Sequence, residues 1–303
     1  MQKVRVAVLR GGPSSHYDLS LGTGAMVLKH MPEDYLAHDI FISKNGLWHR
    51  DGVERSPERA LAGIDLVFNA LHGDFGEDGR VQKILDALQL PYTGSQALPS
   101  ALGMNKAFSK DIFAKEGIKT PYFKIVKKSD DQAQIQNYVF NHFYLPFVVK
   151  PAAGGQSEGL TIVQDFRYLA EALAAAFSVS DTVLIEEFVR GKEASVGVIE
   201  DFRNQSLYSL LPVEIRDKTV VAPGLFGAAE KQALQDLAMA VHKLLGLRHY
   251  SQSDFIVTPR RGVYFLEVST LPDLHPESRF SQGLGSIGAS LKDFLKHILD
   301  AAR

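Results

Sequence analysis

The sequence predicts an α/β unit followed by a region of α+β structure. Three observations carry this. Two buried strand runs in the first hundred residues each lead into a glycine-containing turn and then a helix. Short strands beyond residue 120 flank a glycine-rich loop, and near the C-terminus two apolar, β-branched runs are joined by the turn Pro259-Arg260-Arg261-Gly262.

In the first unit, Val4 to Leu9 is a continuous apolar strand ending in Arg10-Gly11-Gly12-Pro13-Ser14-Ser15, and Leu19 to Met31 then takes helical spacing. Strand, glycine turn and helix is the order in which α/β folds place ligands at strand ends. No complete G-x-G-x-x-G is present, so a dinucleotide fingerprint is not supported. A second buried strand, Ile64 to Leu71, runs into His72-Gly73-Asp74-Phe75-Gly76-Glu77-Asp78-Gly79, with a helix from Val81 to Leu88. Such a loop reads either as part of a site at a strand's C-terminal edge or as a polar connector.

A helix over Met104 to Glu116 precedes Thr120-Pro121, where the chain turns extended. Pro146 to Pro151 is a strand carrying Lys150 near its end. The loop Ala152-Ala153-Gly154-Gly155-Gln156-Ser157-Glu158-Gly159 leads from it into the strand Leu160 to Val163. Successive amides in such a loop can form an anion-binding concavity. It is not a Walker loop, because the lysine precedes the glycines and no helix opens after them. Phe166 to Phe177 reads as a helix, and Val183 to Val189 as a strand containing Glu186 and Glu187. The C-terminal pair places Asp254 and Glu267 in adjacent strands of a hairpin, aiming two carboxylates into one space. An acid in a strand that otherwise reads as core is costly unless it meets a cation or a donor. Mg²⁺ commonly takes one or two carboxylates and completes its shell from water and nucleotide phosphates, so the pair reads either as a Mg-ATP site or as a paired or surface-facing acid in each strand.

Composition narrows the function classes. The 303 residues suffice for two or three modest domains, and 45% hydrophobic with 22% charged residues is ordinary for a soluble globular protein. Net charge is −2, and the basic cluster Lys124, Lys127 and Lys128 is followed at once by Asp130 and Asp131. Nucleic acid and anionic membranes are therefore not expected partners. With no cysteine, disulfides, thiolate metal sites and cysteine nucleophiles are excluded. No apolar stretch has the length of a signal peptide or a membrane span, and a cytoplasmic protein is expected.

Taken in order, the motifs resemble those of the D-alanine–D-alanine ligases of the ATP-grasp superfamily. The resemblance rests on Gly11-Gly12 with Ser14 and Ser20, His72-Gly73 with Gly76-Glu77-Asp78-Gly79, and Pro91-Tyr92-Thr93-Gly94-Ser95. It continues through Met104-Asn105-Lys106, Val149-Lys150-Pro151, the Glu186 to Glu193 segment, and Asp254 with Glu267. No single motif is decisive; their co-linear order and spacing across nearly the whole chain are.

The resemblance implies an ATP-grasp fold with an N-terminal Rossmann-like domain. It divides the chain into an N-terminal substrate domain (1–100), a central ATP-grasp subdomain (101–188) and a C-terminal one (189–303). It implies an ATP-dependent carboxylate–amine ligase that forms an acyl phosphate and a dipeptide for peptidoglycan synthesis, with ATP as co-substrate, Mg²⁺, and a small amino acid as substrate. Lys106 and Lys150 would contact ATP phosphates. Backbone groups of Glu187, Phe188 and Val189 would meet the adenine edge, Glu186 its exocyclic amine, and Glu193 the ribose. Asp254 and Glu267 would ligate Mg²⁺, and the glycine loop with Ser157 would cover the γ-phosphate. Glu277 and Ser278 match the region that holds the second substrate's carboxylate, and His72 lies beside the first substrate. The family is usually dimeric through its N-terminal domain, so a homodimer is the implied assembly.

Several positions depart from the family. His16 stands where a glutamate binds the first substrate, and a histidine is a weaker partner for an ammonium; Asp18 is the residue that could compensate. Gln252 replaces an arginine two positions before Asp254, removing a cation from beside the transferring phosphoryl. Ser269 replaces an asparagine metal ligand and is a poorer one for a second Mg²⁺. Asp273 and His275 replace smaller, apolar neighbours. Between Glu214 and Leu225 there is no room for the long tyrosine-bearing loop that closes the family's site, which puts water exclusion in question. Two alternatives therefore stay open: the same chemistry on another amino acid or dipeptide, or a catalytically silent nucleotide-binding relative.

Overall fold

The computed structural model describes residues 3–154 and 158–303 and contains three sheets. In the first, the Val4–Gly11 strand lies between Tyr35–Ile42 and Leu66–Asn69, parallel to both, and the antiparallel strands Trp48–Arg50 and Val53–Arg55 extend the edge. A strand flanked by two parallel partners is buried on both faces, which is why Val6, Ala7, Val8 and Leu9 form an uninterrupted apolar run with no exposed surface. The parallel strands deliver Gly11 and Asn69 to the same edge of the sheet, so the two loops that follow converge there.

The second sheet is antiparallel, in the order Phe123–Lys127, Thr182–Glu187, Phe147–Pro151, Thr161–Val163. Its core packs against the helices Gln132–His142 and Leu169–Val179 through Val139, Phe147, Leu173 and Ile185. The third is built on the long Lys192–Phe202 strand, with Val213–Arg216 and Thr219–Val221 to one side and the Tyr250–Thr258/Gly262–Ser269 hairpin to the other. Helix Ala228–Leu244 covers one face of this sheet. The C-terminal helix Leu291–Ala301 shares a core with both the first and third sheets, where Phe294, Leu295, Ile298 and Leu299 meet Val6, Phe68, Ile199 and Tyr250. Burying side chains of this size contributes about 1.5–3 kcal/mol each, which makes the helix a clamp between the two ends of the chain.

The helix expected over Met104 to Glu116 is found as Lys106–Lys115, where the Asn105 side chain accepts from the Ala107 and Phe108 amides, caps it and separates it from a preceding helix, Ala97–Met104. The Phe166 to Phe177 helix opens with a 3₁₀ turn, Phe166–Tyr168, before continuing as Leu169–Val179. Among the described residues no helix is long and apolar enough to cross a membrane.

A polar seam joins the first and third sheets. Arg248 donates to the carbonyls of Gly94 and Tyr92 at 3.2 and 3.0 Å, and the Gly94 amide donates to His249 Nδ1 at 3.1 Å. That bond requires a neutral imidazole. Burial, with Arg248 adding to it, pushes His249 down to about 4. Because the unfolded chain takes up this proton first, stability is complete above the ordinary histidine value and falls as pH drops towards 4. About 2 kcal/mol should be lost from this group between pH 7 and pH 5. Denaturant melts of the protein and of His249→Gln, whose side-chain oxygen can still accept from Gly94, check this: the variant should show a shallower acid slope by that amount.

Candidate active site

The hairpin brings Asp254 and Glu267 into direct cross-strand register, and the pairing slips by one residue immediately after Asp254. Such a bulge re-aims a side chain. Asp254 Oδ1 accepts from Ser195 Oγ at 2.6 Å and from Gln252 Nε2 at 3.4 Å, while Oδ2 meets Arg279 Nη1. Burial pushes the Asp254 carboxyl up to about 6, against the pull of Arg279. Glu267 is partly desolvated, with 39% of its side chain still accessible, but Lys106 and Lys150 outweigh that and hold it below the usual carboxylate range. Its Oε2 lies 3.2 Å from Lys106 Nζ.

Two cavities meet at this hairpin. The smaller, about 270 Å³, is a slot between the second and third sheets, with apolar walls from Val148, Ile162, Ile215 and Leu266. Lys150, Glu186, Glu187, Phe188, Val189 and Glu193 all line it. Glu186 is 2% exposed and meets a lysine at each oxygen, Lys110 at Oε1 and Lys150 at Oε2, both at 2.9 Å. Its carboxylate thereby orients Lys150, and the two ammonium groups overcome burial to keep it ionised below the usual range. The Glu187 side chain points elsewhere, paired with Arg261 at 3.0 Å.

The larger cavity, about 490 Å³, lies between the hairpin and the loops of the first sheet. His16, His72, Gln252, Ser269, Glu277 and Ser278 line it. The His16 and His72 loops interlock at Gly73, whose φ is +69° and where a Cβ would stand 2.4 Å from His16 Nδ1 and 2.5 Å from Ser14 Oγ. A side chain there would be strained and would displace His16 or Ser14. The Gly73 amide donates to Glu77 Oε1 at 2.9 Å, and Ser269 Oγ donates to Glu77 Oε2 at 3.1 Å, tying this loop to the hairpin. His72 Nε2 is 2.8 Å from Thr23 Oγ1, and burial lowers its pKa to about 4, so it is neutral. Asp273 Oδ1 accepts from the His275 amide at 2.9 Å and is 2.5 Å from His275 Nδ1.

Not every expected residue reaches the site. Asp18 is exposed in the first turn of the helix Tyr17–Lys29 and does not line the cavity. Two residues along a helix turn the side chain by about 200° from His16, and it is Leu19 that faces inward. The Ser269 hydroxyl is directed to Glu77. Ser157 lies outside the described residues, as do Gly155 and Gln156 of the same loop; beyond them, Glu158 accepts from Ser15 Oγ at 2.7 Å, connecting the glycine loop to the first unit. The short segment after Glu214 forms a hairpin whose Val220 lines the larger cavity, so that side of the chamber is partly walled without a long loop.

Five of the described residues line both cavities: Lys106, Gly154, Asp254, Glu267 and Arg279. They form the boundary between the slot and the larger chamber.

Residues 112–300 match the family model of the D-ala D-ala ligase C-terminus, and residues 49–95 that of the N-terminus. The chain belongs to the D-alanine–D-alanine ligase family. It is 32% identical to the D-alanine–D-alanine ligase of Geobacter sulfurreducens, with 100% of this chain and 95% of the relative covered. It is 33% identical to that of Aquifex aeolicus, covering 98% and 100%. Among solved structures, the VanG D-Ala:D-Ser ligase from Enterococcus faecalis superposes with a TM-score of 0.89 at 26% identity over the whole of both chains. The D-alanine–D-alanine ligase from Coxiella burnetii, at 22% identity, shares the ATP-grasp fold with a TM-score of 0.90 over 100% of this chain and 94% of its own.

Two charged residues of the site escaped the sequence reading. Lys110 sits four residues after Lys106 on one helix face, a spacing that was available as a signal; it is fully buried, and burial lowers its pKa to about 8. Arg279 follows Glu277-Ser278 with no periodic pattern to mark it, and only the folded chain brings it to Asp254.

Proposed function

We infer that the protein is an ATP-dependent ligase that activates the carboxylate of one amino acid and joins it to the amine of a second, as its family relatives are named for doing with D-alanine. The observation that carries this is the shared boundary: a lysine-bearing slot for the triphosphate opens onto the substrate chamber at Lys106, Asp254, Glu267 and Arg279. A phosphoryl group leaving one cavity arrives in the other without travelling through water.

The γ-phosphorus–oxygen bond to ADP breaks as a bond to a substrate carboxylate oxygen forms. The amine of the second substrate then attacks the carbonyl carbon, phosphate departs with the carbon–oxygen electron pair, and the surplus amine proton leaves with it. Phosphoryl transfer asks the protein chiefly for alignment and positive charge. Lys150, oriented by Glu186, supplies charge along the triphosphate, and Lys106 supplies it at the boundary. The Glu187–Val189 backbone meets the adenine edge and Glu193 the ribose. Ser278 and the chain beside Glu277 meet the second substrate, while His16 and neutral His72 meet the first.

Two carboxylates on neighbouring strands form a hard-oxygen donor set, and among the described residues no third acid or histidine joins them. That set fits a Mg²⁺ ion carried in on nucleotide phosphates and not one held by protein alone. Asp254 and Glu267 would hold it, and when bound it neutralises charge on the β- and γ-phosphates. The two protein acids otherwise wait on Arg279 and Lys106, which limit the repulsion between them.

The His16 substitution and the Asp273–His275 pair favour a second reading, the same chemistry with another amino acid in one position. Phosphate release over a panel of D- and L-amino acids, with mass detection of the product, decides between them. D-alanine-dependent release with formation of D-alanyl-D-alanine is the expected result and would place the product in peptidoglycan synthesis; release that depends only on a different amino acid would establish the second reading. No release with any amino acid would refute the ligase.

A further inference from the structure

We propose that Arg279 is the catalytic cation of the boundary, contacting the phosphoryl group as it passes from nucleotide to substrate and so performing the task for which the Gln252 position carries no charge. This rests on the ligase reading above and assigns a residue within that site.

Gln252 and Asp254 project from the same face of one strand, being two residues apart. On that side the Asp254 carboxylate meets only the neutral Gln252 amide, at 3.4 Å, and Ser195. Its other oxygen is met by Arg279, which arrives from a different element, the first residue of the helix Arg279–Ser286. The cation has thus been supplied from across the cavity and not from the strand.

Three features separate this arginine from a structural ion pair. First, a cation at the first position of a helix opposes the helix dipole, so the local structure of Arg279–Ser286 gives no reason for it. Second, its side chain keeps 39% of its surface accessible and faces both cavities, whereas Lys150 lines only the slot and Gln252 only the chamber. Third, among the described residues Asp254 is the only hydrogen-bond partner of its guanidinium, through Nη1. The fork carries five N–H donors, and its flat geometry suits two oxygens of a phosphoryl or of a tetrahedral adduct at once. Lys106, the other boundary cation, is already directed to the Gly154 carbonyl at 2.5 Å and to Glu267.

The chemistry needs such a group twice. As the γ-phosphoryl moves, charge collects on its non-bridging oxygens; when the amine adds to the acyl phosphate, the carbonyl oxygen becomes an oxyanion. A preformed donor at either position typically contributes about 10²–10³ in rate.

The test uses the full-length protein and measures ADP formation and product, ATP retention and thermal melting for Arg279→Ala, Arg279→Lys and the double variant Gln252→Arg/Arg279→Ala. The expected result is a kcat about 10²–10³ lower in Arg279→Ala, with ATP retained and a cooperative melt. Free guanidinium at non-denaturing concentration should restore rate where an equal concentration of sodium does not, and the double variant should regain part of the loss. Arg279→Lys, which keeps charge but not the fork, should fall between. Undiminished turnover in Arg279→Ala would overturn the proposal alone, as would a loss that neither guanidinium nor Gln252→Arg relieves. Absence of turnover in the unsubstituted protein would instead overturn the ligase reading, and the proposal with it.

Discussion

Glu267→Gln is expected to reduce ATP turnover by at least about 10²–10³, the scale on which removing one preorganised charged group from a reacting centre acts. The substitution keeps size and shape and still offers Lys106 an acceptor oxygen, so the hairpin should fold and melt as before. What it removes is one of the two carboxylates proposed to hold Mg²⁺ at the boundary, and with it the negative charge that faces Lys106 at 3.2 Å. The loss should be mainly in kcat, with a steeper requirement for added Mg²⁺, because a single remaining carboxylate holds a hard dication less well. Steady-state ADP release titrated with Mg²⁺ gives both quantities. Full activity across the titration would show that the metal is held elsewhere.

The largest effect on stability is expected from Glu186→Leu. Glu186 is the counter-ion of two buried lysines, and Lys110 has no exposed surface. Removing one partner of a buried charge cluster leaves the others uncompensated, at about 3–5 kcal/mol. The sign of the pH dependence follows. Burial already lowers Lys110 to about 8 in the presence of the carboxylate, and without it the amine should lose its proton at still lower pH. The unfolded chain then binds more protons than the folded one through the neutral and mildly alkaline range, so the variant's stability should climb with pH there, more steeply than that of the parent. Denaturant melts at pH 7 and pH 9 would show this. A variant as stable as the parent at pH 7 would mean that the lysines reach water without cost.

How far the site was legible depended on where each residue's partner lies. Asp254 and Glu267 were readable because both ends of the contact fall within one hairpin, whose register is set by the two apolar runs and the short turn between them. Lys150 was readable because a strand ending at a glycine-rich loop announces itself locally. The exposure of Asp18 is not legible from its proximity to His16, because sequence distance alone does not give helix phase, and the side chain two residues on faces away. The strand Tyr35–Ile42 escapes the eye because its burial does not alternate cleanly: Leu36 is exposed while Tyr35, Ile40 and Ile42 are buried. The helix break at Asn105 was equally hidden, since an asparagine is compatible with either a helix interior or a cap until the flanking amides are placed.

The amino-acid order alone determined the parallel and antiparallel units, the hard-oxygen pair, the lysines and the family, because each is written in periodicity, turn chemistry or co-linear spacing. Tertiary structure alone decided that Glu186 is held by two lysines, that Ser269 turns to Glu77, and that Arg279 meets Asp254. The physical reason is that local geometry follows from neighbours a few residues apart, whereas a charge is stabilised by whichever group reaches it through space. Asp254 and Arg279 are 25 positions apart in sequence and share one ion pair.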